Sequence, residues 1–175
     1  MCPLIIGIGG AHNGSGNTTA ACAILKSFTG WGVIKYTRTS LYSCIIDDIA
    51  VLSEADKDIK KFLDAGAEKV LWIKSPLSEL HQVFSSAVTM FTHLQGIVIA
   101  GNSAIQAINP DIVLYVYGDE ADYKSGNEKI PDVAHIILFQ KTVPASISDD
   151  IPKFQLNDTD GFLRSLRGLL RKIRE

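Results

Sequence analysis

The first 28 residues constrain the fold more than any other stretch of the chain. An apolar run, Leu4-Ile5-Ile6-Gly7-Ile8-Gly9, opens into Gly10-Ala11-His12-Asn13-Gly14-Ser15-Gly16-Asn17-Thr18-Thr19 and then into an alanine-rich segment of helical period. A strand, a glycine loop and a helix in that order make a phosphate-binding loop. Glycines let successive backbone N–H groups turn inward on anionic oxygens, and the helix behind them adds the positive end of its dipole. The residues predicted to hold phosphate are His12, Asn13, Gly14, Ser15, Gly16, Asn17, Thr18 and Thr19. In a P-loop the last glycine is followed by a lysine that reaches the terminal phosphates and by a Ser/Thr hydroxyl that binds magnesium. Here Asn17 stands in the lysine's place and Thr18 keeps the hydroxyl.

Three other readings of the loop compete. A dinucleotide-binding G-x-G-x-x-G is weak, because neither Gly7-Ile8-Gly9 nor Gly14-Ser15-Gly16 is followed by a third glycine at the required distance. Ser15-Gly16-Asn17-Thr18 resembles the flavin-phosphate loop of flavodoxin-like proteins, which also use uncharged residues. A plain strand-to-helix turn with no ligand is the third.

The rest of the chain supplies the frame for such a loop. Apolar, β-branched runs recur at 4–8, 33–36, 70–73, 97–99, 112–116 and 136–139. Segments of helical period lie between most of them, at 18–28, 56–63 and 77–94, and an amphipathic helix capped by Asp158 or Thr159 closes the chain at 158–175. Strands apolar on both faces and alternating with helices predict a doubly wound, mostly parallel sheet in a three-layer α/β architecture. Ligands then sit at the carboxyl ends of the strands, where the glycine loop falls. The segment 118–131 is polar and reads as a surface loop.

With 175 residues, 46% of them apolar, the chain has the size of a single domain spanning 1–175. A net charge of −2 argues against nucleic acid or an anionic membrane as the main partner. The apolar run after Met1 is too short to span a bilayer and has no basic segment before it, so a cytoplasmic protein is expected. Cys2, Cys22 and Cys44 are odd in number and lack C-x-x-C spacing, which predicts reduced thiols. Arg164, Arg167, Arg171 and Arg174 line one face of the last helix, a solvated surface or a site for an anionic partner.

Three segments together resemble the molybdopterin-guanine dinucleotide biosynthesis protein B family, GTP-binding P-loop accessory proteins of molybdenum-cofactor synthesis. They are Gly14-Ser15-Gly16-Asn17-Thr18-Thr19, Lys57-Asp58 with Ala65-Gly66-Ala67, and Ile97-Val98-Ile99-Ala100-Gly101-Asn102. The resemblance implies a P-loop NTPase-like fold, GTP or ATP bound with magnesium, and a nucleotide or molybdopterin-type cofactor as ligand. A homodimer or an accessory-protein partner goes with it. The chain departs from that family at three places: Asn17 for lysine, Ala100 for an acidic residue, and Gln140 and Val143 where GTP-binding relatives carry the ends of Asn-Lys-x-Asp.

Further ligand contacts are expected from Asn102, Gln140 and Lys141, and a magnesium ion held through the nucleotide is expected at Thr18 and Asp48. Asp47 or Asp48 would replace the missing carboxylate, or would cap a helix. Lys57 or Lys141 would supply the missing charge, or would be solvated. The expected function is a nucleotide-binding accessory protein with weak or absent hydrolysis. The alternatives are a pseudo-NTPase scaffold acting through a protein interface and a flavin-phosphate binder.

Overall fold

The computed structural model describes residues 2–11, 14–118 and 130–175. Eight strands form one sheet: β1 (Leu4–Gly10), β2 (Trp31–Arg38), β3 (Cys44–Ile46), β4 (Val70–Ser75), β5 (Gly96–Ala100), β6 (Ile112–Tyr117), β7 (Ile136–Phe139) and β8 (Lys153–Gln155). Their order is β3-β4-β2-β5-β1-β6-β7-β8. Every pairing is parallel except that of β3 with β4. The helices are α1 (Asn17–Ser27), α2 (Ile49–Ala55), α3 (Lys57–Asp64), α4 (Leu77–Thr89), α5 (Asn102–Ile108) and α6 (Thr159–Arg174).

All six expected strands are present, and they are buried on both faces because helices cover both. On one face, Ile6, Ile8, Val33, Val98 and Leu114 pack with Ala20, Ala21 and Ile24 of α1, Ile59 and Phe62 of α3, and Phe162 and Leu166 of α6. On the other, Ile34, Leu71, Ile73, Ile97 and Ile99 pack with Leu80, Phe84 and Ala87 of α4 and Ala104 of α5. The alternation explains Gly7 and Gly9. Both point toward α5, and a Cβ at Gly7 would lie 2.6 Å from Pro110 Cγ and 2.9 Å from Ile105 Cγ1. These glycines let α5 sit directly on β1.

β1 lies between β5 and β6. A flavodoxin-like sheet, in the order 2-1-3-4-5, would flank the first strand with the second and third. The strand order thus removes the flavodoxin-like reading.

The apolar stripe expected over 77–94 is buried as far as Phe91 and Leu94, but the α-helix ends at Thr89. Beyond it the bonds tighten to a three-residue span: Met90 N donates to Ala87 O at 3.0 Å, Phe91 N to Val88 O at 2.9 Å and Leu94 N to Phe91 O at 2.8 Å. Thr89 Oγ1 donates to Ser86 O at 2.6 Å and Thr92 Oγ1 to Thr89 O at 3.3 Å, so side-chain hydroxyls compete for the carbonyls that would continue the helix. Of the segment 118–131, residues 119–129 lie outside the described ones, and the chain re-enters with a short turn at Pro131–Val133. Among the described residues no helix is long and apolar enough to cross a membrane.

Candidate phosphate-binding site

The site is built where β1 ends. Asn102, the first residue of α5, clamps that end: Gly10 N donates to its Oδ1 at 3.0 Å and its Nδ2 donates to Gly10 O at 2.8 Å. On the other side Ala11 N donates to Val116 O at 3.0 Å. His12 and Asn13 lie outside the described residues. The chain then turns through Gly14, with φ of 84°, and Gly16, with φ of 114°, a left-handed backbone that only glycine adopts without strain. α1 begins at once. Gly16 caps it without a side chain and the first turn holds no acidic residue. The amides of residues 17–19 therefore have no partner within the helix or from a cap, which is the donor set of an anion site.

Two side chains of the loop face inward. Ser15, 1% exposed, donates through Oγ to Asn17 Oδ1 at 3.1 Å. A Cβ on Gly10 would collide with both groups, so Asn17 folds back over the end of β1. The flank toward β7 and β8 is closely packed. Gln140 Nε2 donates to Ser15 O at 2.9 Å across 125 residues of sequence, and Leu156 lies against Gly16 so tightly that a Cβ there would overlap its Cδ2. A cleft of about 410 Å³ opens beside them, lined by Thr19, Phe139, Gln140, Leu156 and Asn157. A second, of about 560 Å³, runs between α1 and α3 past Thr18, Thr19, Cys22, Lys26 and Lys61. Burial raises the Cys22 thiol above its ordinary pKa, though the nearby Lys26 and Lys61 pull the other way. Its Sγ donates to Lys61 O at 3.6 Å.

The flank toward β5 and β2 is charged. Ile8, Ala100 and Lys35 share one register across β1, β5 and β2, and Trp72 of β4 continues it. Lys35 Nζ pairs with Asp56 Oδ2 and lies 3.9 Å from Asp58 Oδ2. The other oxygen of Asp56 caps α3, accepting from Asp58 N at 2.8 Å and Ile59 N at 3.3 Å. Burial pushes the Asp56 carboxyl up. The Lys35 hydrogen bond, the two backbone amides and the Lys35 charge outweigh it and hold the group below the ordinary carboxylate value.

The structure thus gathers Gly14 to Thr19, Asn102 and Gln140 at one place. Asn102 and Gln140 both bond the loop itself, one at its entry and one at its turn. Lys141 is exposed just past β7. Asp48 is not brought there. β3 is the fourth strand from β1 and runs antiparallel, so the chain leaves it toward the amino ends of its neighbours, and Asp48 Oδ1 caps α2 by accepting from Ala50 N at 2.9 Å and Val51 N at 3.3 Å. Lys57 is exposed at the start of α3. Two features went unnoticed in the sequence. Leu156 and Asn157 follow a three-residue strand that has no periodicity to betray it, whereas Lys35 left a signal as a cation within the apolar run Val33-Ile34-Lys35-Tyr36. Among the described residues no group of three His, Cys, Asp or Glu could hold a metal ion, and the three cysteines are free.

Strand order, loop and helix define the class: this is the P-loop NTPase fold, a mostly parallel sheet with the phosphate loop between its central strand and α1. No family model matches the sequence, and no curated protein matches it. Solved structures do. HypB from Helicobacter pylori, solved in complex with nickel, superposes with a TM-score of 0.60 at 12% identity over 98% of this chain and 88% of its own. A LAO/AO transport system kinase gives 0.52 at 12% identity, with 99% and 64% covered. LpxK from Aquifex aeolicus, in complex with ATP, gives 0.52 at 14% identity, with 89% and 54% covered. MobB from Bacillus subtilis scores 0.41, too loose a likeness to carry weight.

Proposed function

We propose that this chain is a nucleotide-binding accessory protein of the P-loop class that holds GTP or ATP with magnesium and hydrolyses it weakly or not at all. The observation that carries the reading is the uncapped first turn of α1 behind two glycines of positive φ, at the carboxyl end of the central strand. A phosphate placed there meets backbone N–H groups whose position owes nothing to side-chain identity, and the Thr18 hydroxyl is available to a magnesium ion between phosphates. Residues present fit binding better than transfer. Asn17 brings no charge and is engaged with Ser15, Ala100 stands at the end of β5, and Asp48 leaves the sheet at a distant edge. Removing one positioned transition-state donor costs roughly two to three orders of magnitude in rate, and here the loop lysine is missing along with the carboxylate expected at Ala100.

The resemblance to molybdenum-cofactor accessory proteins gives the proposal its narrower form, a carrier or sensor of a nucleotide or molybdopterin-type cofactor that works with a protein partner. The decisive experiment is calorimetric titration with GTP and with ATP, each with and without magnesium, followed by a phosphate-release assay. Micromolar binding that tightens with magnesium, together with slow or no release, is expected. Absence of heat with every nucleotide would overturn the proposal in favour of a scaffold acting through a protein surface.

A further inference from the structure

The proposed site lacks the lysine of its loop, and the fold sets another cation in register with β1, two strands away. We propose that Lys35 is the phosphate-binding cation of this protein, reaching the ligand from β2 past Ala100 while Asp56 holds it in position until the anion arrives. The inference rests on the nucleotide-binding reading above and adds to it the source of charge.

Register places Lys35 directly beside Ala100, which is itself directly beside Ile8 of β1, all on the face that α1 covers. Two strand spacings, roughly 10 Å, separate the backbone of β2 from that of β1. A four-carbon stem that ends in a compact ammonium spans much of that distance, and the methyl of Ala100 leaves the way open. Four other lysines among the described residues are worse placed. Lys26 and Lys61 line the cleft between α1 and α3, Lys57 projects from the start of α3, and Lys74 lies one strand farther away with its ammonium 3.9 Å from the Trp72 ring centroid.

The setting of Lys35 is costly for a merely structural residue. Its side chain is 21% exposed and that of Asp56 23%. A partly buried pair is weak support for stability, since apolar side chains of similar volume are commonly as good there or better. A third aliphatic residue after Val33 and Ile34 would have served the strand. The sequence instead keeps an ammonium level with the carboxyl end of β5, with Asp58 as a second carboxylate at 3.9 Å and the Trp72 ring centroid at 5.7 Å. An arriving phosphate competes with Asp56 for the same ammonium. The two partners of the pair consequently have opposite effects on binding: Lys35 attracts the ligand, and the Asp56 charge opposes it.

The test is calorimetric titration of GTP and ATP with magnesium into the intact chain and its Lys35→Met, Lys35→Arg, Asp56→Asn and Lys60→Met variants, at two or more salt concentrations. Expected are an affinity at least tenfold lower for Lys35→Met, within about threefold of the parent for Lys35→Arg, equal to or tighter than the parent for Asp56→Asn, and unchanged for the exposed control Lys60→Met. Lys35→Met should also show a weaker dependence of affinity on salt. If Lys35→Met fails to fold, Lys35→Arg and Asp56→Asn carry the decision through the sign of the Asp56 effect. Equal affinity for parent and Lys35→Met overturns the inference and leaves nucleotide binding standing. Weakening by both Lys35→Met and Asp56→Asn overturns it as well, because a structural pair loses alike from either side. A parent that binds no nucleotide overturns the inference together with the reading beneath it.

Discussion

The two flanks of the phosphate loop are built on different physics. Toward β7 and β8 the loop is gripped by shape: Leu156 fills the space over Gly16, and Gln140 bonds the Ser15 carbonyl. Toward β5 and β2 the Asn102 clamp holds only the end of β1, and beyond it stand Ala100 and then the Lys35–Asp56 pair. The lesson is that the cradle keeps its form independently of the charges that would serve a reaction. A chain can lose the loop lysine and keep the loop, because the lysine contributes to chemistry while packing and two left-handed glycines fix the backbone.

The comparison breaks most severely at Gly16. Gly16→Val places a β-branched residue at φ of 114° and drives its Cβ into Leu156. Left-handed strain of about 1–2 kcal/mol adds to overpacking of about 1–3 kcal/mol, so denaturant unfolding should register a loss of about 2–5 kcal/mol. A stability close to that of the parent would mean the gripped flank yields.

Asn102→Ala comes next. It leaves both backbone groups of Gly10 without their clamp, at about 1–3 kcal/mol by the same measurement. Gln140→Ala removes one hydrogen bond from the gripped flank, for about 1 kcal/mol, with a larger effect on amide exchange around Ser15 than on global stability.

The smallest effect belongs to the charged flank and sharpens the contrast by its pH dependence. Asp56 is held below its ordinary value, so the folded state binds its proton less readily than the unfolded chain. The stability it contributes is present above the unfolded-state value and is lost as pH falls through the folded-state one. Acid unfolding below about pH 4 should be shallower in Asp56→Asn than in the parent, whereas Gln140→Ala should leave its slope unchanged.

Much of this molecule was legible in its sequence because burial on both faces writes continuous apolar runs. The six core strands and the position of the loop followed from those runs, and α1, α3 and α6 from the helical period between and after them. Elements at the rims did not follow. β3 and β8 are three residues each, too short for a period, and α2 buries only Leu52 while carrying the β-branched Ile49 and Val51. The loop itself was legible as a motif, but its surroundings were set by tertiary register. No local pattern ties Gln140 or Leu156 to Gly16, sends Asp48 to a far edge, or ranks Lys35 beside Ala100. The C-terminal helix was legible down to its cap, since Asp158 Oδ1 accepts from Gly161 N at 3.0 Å.

The brevity of the two outermost strands bears on self-association. A sheet rim invites self-association through its row of unpaired peptide groups, and the hazard grows with the length of the row. Here β8 carries Lys153 on a run of only three residues, and β3 is equally brief and runs against its neighbour. That restraint matters most around β3, where Leu41 is 83% exposed and Ile49 64%. Each rim offers few amides to template a stacked fibre beside those exposed apolar side chains.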